Sequence, residues 1–152
     1  MSEPYQTWTR RAGWCGVAAG LLLPAMVSMA VEILRGQSPI GSFEERISNL
    51  FRPGYNEFLI AVFNTVPFAL VAVASRLSGT RAHFWGIVAA VGATFTFSLW
   101  FLIAIRTTRS STAGIGYLFF PIELSLTLPI TYGVGFLLGK KFAKPAQVDI
   151  PS

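Results

Sequence analysis

FWGIVAAVGATFTFSLWFLIAI, residues 84–105, contains no charged side chain and lies between Arg81 and Arg106. At 1.5 Å per residue it makes about 33 Å of helix, enough to cross a hydrocarbon core of about 30 Å. Aromatic pairs close both ends, Phe84-Trp85 and Trp100-Phe101. The tryptophans stand about 22 Å apart along such a helix, a spacing that suits two interfacial belts.

Three more runs of this kind flank it. Residues 13–34 follow Arg10-Arg11 and precede Arg35, residues 55–77 end around Arg76, and residues 113–138 close on Lys140-Lys141. Lipid offers the backbone no hydrogen-bond partners, so each run is expected to be helical. The expected fold is therefore an all-α integral membrane protein: one four-helix domain over 13–140 with short tails at 1–12 and 141–152. Composition agrees, with 53% hydrophobic residues, 13 phenylalanines and only 12% charged residues. A soluble domain carries about 25% charged residues, because its surface faces water.

The net charge of +5 does not indicate nucleic acid. The Lys and Arg residues stand singly or in pairs at the ends of apolar runs, where they meet headgroups and set orientation. Four spans put Arg10, Arg11, Arg76, Arg81, Lys140, Lys141 and Lys144 on one side. Arg35, Arg46, Arg52, Arg106 and Arg109 fall on the other. That bias favours cytoplasmic termini, in a cell or inner membrane. A second reading treats the opening as a signal peptide cleaved after Ser28-Met29-Ala30, leaving three spans. The apolar run continues through Val31, Ile33 and Leu34, which favours an uncleaved anchor.

The longest connection, 36–54, holds an element of its own. Ser42 and Glu45 fit a capping box, and Phe43, Ile47, Leu50 and Phe51 then recur at helical spacing. Residues 42–51 are expected to form a short amphipathic helix that lies on the membrane surface or against a partner. Ser110, Ser111 and Thr112 read as caps of the fourth helix.

Ionisable groups within lipid cost roughly 2.5 to 3.5 kcal/mol on insertion scales, which singles out Glu123. It lies deep in the fourth run, with Thr127 and Thr131 following at helical spacing on one stripe. Pro121 and Pro129 flank it, each removing a backbone donor. Asn64 is the matching polar residue of the second run. If the second and fourth helices adjoin, Asn64 and Glu123 are expected to hydrogen-bond. Such a cluster either fixes helix packing or serves a proton-coupled or cation pathway. Glu32 and Glu57 read as boundary residues.

The remaining signals are modest. Gly16 with Gly20 and Gly135 with Gly139 are GxxxG pairs, expected to let helices approach closely. His83, the one histidine, reads as part of a short loop. No second ligand accompanies it, so no metal site is expected. Cys15 is the only cysteine, which excludes an internal disulfide. No nucleotide loop, zinc motif or catalytic triad can be placed, so no cofactor and no enzymatic activity are expected.

In size, span number and weak charge bias the chain resembles small four-helix multidrug exporters. Their essential carboxylate lies well inside the first helix, where this chain has only Glu32 near the helix end. The resemblance is thus architectural. Two functions follow as expectations. The first is a non-enzymatic accessory subunit that binds itself or another membrane protein, as immunity and complex-assembly proteins do. The alternative is a small oligomeric transporter or ion pathway with Glu123 as its coupling carboxylate.

Overall fold

The computed structural model describes residues 4–36, 56–107 and 113–142, together with the isolated positions 44 and 48. Four helices run through these residues: α1 (Pro4–Leu34), α2 (Asn56–Ala74), α3 (Arg81–Thr107) and α4 (Ala113–Lys141). Three stretches are long and apolar enough to cross a membrane, Tyr5–Leu34, Arg81–Thr107 and Phe119–Lys141. The corresponding stretch of α2, Phe58–Ala74, is shorter. Phe43, Ile47, Leu50 and Phe51 lie outside the described residues, as do Ser110, Ser111, Thr112 and the side chain of Glu57.

Helix ends differ from the sequence-based boundaries for local reasons. α1 starts at Pro4, within the expected tail. There the Tyr5 ring packs on Phe84 with centroids 5.9 Å apart, and Thr9 is fully buried with its hydroxyl donating to the Tyr5 carbonyl. α1 stops at Gly36, whose φ of 75° provides the left-handed turn that glycine adopts without steric cost. α2 gives way to a turn at Ser75, where Arg76 and Leu77 donate to the carbonyls of Val73 and Ala74. Thr80 then caps α3: its hydroxyl accepts from the His83 N–H and its carbonyl from the Phe84 N–H.

The bundle alternates in direction. Gly13 faces Ala72 and Ser75, while Ala25 clusters with Ala61, so α1 and α2 are antiparallel. Tyr5 meets Phe84 at one end, and Arg35 donates to the Arg106 carbonyl at the other, so α1 and α3 run parallel. Gly139 meets Ala82 and Phe101 stacks on Phe120, so α4 returns antiparallel to α3. Arg10, Arg11, Arg76, Arg81, Lys140 and Lys141 consequently gather at one end of the bundle, with Arg35 and Arg106 at the other.

Small residues set the helix separations. A methyl on Gly13 would come within 2.9 Å of the Ala72 Cα, and one on Gly135 within 2.5 Å of the Trp85 carbonyl oxygen. Gly16 and Gly20 accommodate Phe68, which is fully buried. Both GxxxG pairs thus face neighbouring helices of this chain. The apolar core divides into a patch of Leu23, Val27, Val31 and Leu102, a small one of Ala25 and Ala61, and another of Val71, Ile87 and Ala90.

Candidate functional site

Asn64 and Glu123, members of a single cluster in the sequence analysis, do not come together, while Thr127 and Thr131 follow Glu123 along α4. Asn64 is 5% exposed, and its Nδ2 donates to the Gly20 carbonyl at 2.8 Å. The cause lies four residues further along α1. Pro24 has no N–H, so the Gly20 carbonyl lacks its helical donor. The Asn64 amide replaces that donor from the neighbouring helix. The hydrogen bond expected between Asn64 and Glu123 is therefore not formed.

Glu123 occupies the opposite side of α4. Helical geometry turns the chain by about 100° per residue, which places Glu123 about 200° round from the buried Pro121. Its exposed neighbours are Ile122, Leu126, Thr127 and Ile130, with Leu126 72% exposed. No hydrogen bond or ion pair joins the Glu123 side chain to any other described residue. The two threonines are satisfied by their own helix. Thr127 donates to the Leu124 carbonyl at 2.8 Å, and Thr131 to that of Leu128 at 3.1 Å. The outer face of α4 is thus an apolar strip with one carboxylate in it.

His83 was missed by the sequence reading, which placed it in a loop. The Thr80 cap starts α3 early enough to put His83 in its first turn, where it is 3% exposed. Its Nδ1 lies 2.7 Å from the Tyr132 hydroxyl of α4, and the two rings meet edge to face at 5.6 Å. The signal was present in the sequence: Thr80, three residues before His83, is a residue type that favours N-caps.

His83 and Tyr132 line a cavity of about 370 Å³ between α2 and α4, floored by α3. Its remaining wall is apolar except for Ser125. Among the described residues no group of three or more His, Cys, Asp or Glu side chains could hold a metal ion. Cys15 is free and exposed.

Comparison of the chain with protein-family models, with curated proteins and with solved structures finds no match.

Proposed function

We propose that this chain is a non-enzymatic, four-span membrane subunit that docks onto a helix of another membrane protein through the outer face of α4. The observation that carries this reading is the outward Glu123, which has no partner among the described residues, within an apolar strip. A carboxyl group facing lipid is costly, and a neighbouring helix with a hydrogen-bond donor removes that cost. The described helices of this chain leave the strip uncovered.

The geometry of the bundle supports four spans. The 19 residues of α2 make about 28 Å of helix, close to the hydrocarbon thickness, and α2 lies alongside α1 over that length. Six basic residues at the end that holds the start of α1 and the end of α4 support cytoplasmic termini. The segment 42–51, with Phe43, Ile47, Leu50 and Phe51, is proposed as a second contact for the partner. A transporter would need Glu123 to open on a path. In one copy it faces outward, so only an assembly of copies could line one.

Affinity purification of tagged protein from native membranes in a polymer nanodisc tests the docking reading. Wild type should bring down a distinct membrane protein. Glu123→Gln should retain it, because the amide keeps the hydrogen-bonding capacity. Glu123→Leu should reduce its recovery about tenfold or more. Equal recovery with Glu123→Leu would overturn the reading. Loss of cation or proton flux with Glu123→Gln would favour the pathway instead.

A further inference from the structure

The cavity between α2 and α4 has two properties that a packing defect does not combine. Its wall is apolar along Leu70, Leu77, Leu128 and Pro129, while its inner end holds the His83–Tyr132 pair. Leu77 is 80% exposed, and Leu70 and Pro129 are exposed too, so the cavity opens sideways, towards the space that lipid would fill.

The inner end carries an unused donor. His83 Nε2 is buried and has no hydrogen-bond partner among the described residues. The Ala74 backbone lies beside the ring without completing a hydrogen bond to it. In the tautomer with its proton on Nε2, Tyr132 donates to Nδ1 and Nε2–H is left without an acceptor among the described residues. In the other tautomer Nδ1–H donates to Tyr132, and the tyrosine proton becomes the spare donor in the same cavity. Either way one donor of the pair, at the buried end of the cavity, has no acceptor among the described residues. A buried donor without an acceptor is costly, so the site suits a molecule that brings an acceptor with it.

Depth identifies the acceptor. His83 lies in the first turn of α3, at the end of the bundle where Arg76, Arg81, Lys140 and Lys141 collect. In a bilayer that level is the boundary between hydrocarbon and headgroups, where glycerol ester carbonyls sit just beneath the phosphates. Basic residues at such a boundary attract anionic lipid. We propose that this cavity binds an anionic diacyl glycerophospholipid, with one acyl chain along the α2–α4 cleft and its ester carbonyl accepting from the His83–Tyr132 pair. The proposal rests on membrane insertion and not on the partner reading of α4.

Native mass spectrometry of the full chain, delipidated and titrated with phosphatidylglycerol, provides the test. Wild type should retain one lipid. The ether-linked analogue, which lacks the ester carbonyl, should bind about fivefold more weakly, as loss of one hydrogen bond implies. Phosphatidylcholine should also bind more weakly. His83→Phe combined with Tyr132→Phe, which removes both donors, should weaken the ester lipid and abolish the ester–ether difference. Ala74→Phe, which fills the cleft from α2, should remove the retained lipid. If the double variant does not fold, the ether comparison on wild type and Ala74→Phe decide. Equal binding of ester and ether lipids, equal binding of phosphatidylglycerol and phosphatidylcholine, or a lipid retained by Ala74→Phe would overturn the proposal. The lipid count is read by mass whether or not a protein partner is bound. Its failure would therefore leave the docking reading standing, whereas absence of the chain from the membrane fraction would remove both.

Discussion

Asn64 and Glu123 are polar residues deep in their respective apolar runs, and the fold uses them in opposite ways. Asn64 points inward and supplies the donor that Pro24 withholds from the Gly20 carbonyl. Glu123 points outward, and no described residue of this chain answers it. A polar residue in an apolar helix is thus not a functional signal by itself. What separates the two is whether the same chain completes the hydrogen bond.

The largest effect should come from forcing apart the helices that keep Glu123 on the outside. Gly135→Leu places a side chain where a methyl alone would meet the Trp85 carbonyl and the Ala89 side chain. Thermal unfolding in detergent should show a loss of about 3 kcal/mol, or failure to fold. A stable Gly135→Leu variant would mean that α3 and α4 do not approach as closely as described.

Next in size is the internal half of the comparison. Asn64→Leu leaves the Gly20 carbonyl buried and unpaired, and should cost about 1 to 2 kcal/mol. Pro24→Ala restores an N–H to position 24 and with it the ordinary helical donor to Gly20. In that background Asn64→Leu should cost much less, so a double-mutant cycle should give a clear coupling between positions 24 and 64. Additive effects would show that the amide serves some other partner.

The external half should respond the other way. Glu123→Leu should leave the isolated chain within about 0.5 kcal/mol of wild type, or slightly more stable in detergent, because it breaks no bond to a described residue. A marked destabilisation would mean that Glu123 has an internal partner after all. The smallest effect is expected at Ser28 and Ser98, whose buried hydroxyls have no partner among the described residues. Ser98→Ala should be neutral or mildly stabilising in the same unfolding assay.

These differences show what was legible beforehand. The helices could be read from run length and flanking charge, because a span needs a minimum of apolar residues and its ends attract Arg and Lys. The inward use of Asn64 was not legible. It depends on α2 lying opposite the carbonyl four residues before Pro24, a register that neither helix states alone. The outward direction of Glu123 was partly legible. Gly139, which meets Ala82, stands about 160° round the helix from Glu123, so the glycine side could have been taken as the inner one. His83 was hidden by beginning the third helix at its apolar run, when Thr80 begins it several residues earlier. The cavity beside it could not be read at all, since it arises from the spacing of three helices.

The central claim is that another membrane protein covers the α4 strip around Glu123. A photo-crosslinking amino acid at Leu126, the exposed position nearest the middle of that strip, tests it in intact membranes. The docking account predicts a discrete adduct with a different membrane protein, absent when the same probe replaces the buried Leu124. Adducts with lipid alone, or only with a second copy of this chain, would contradict it.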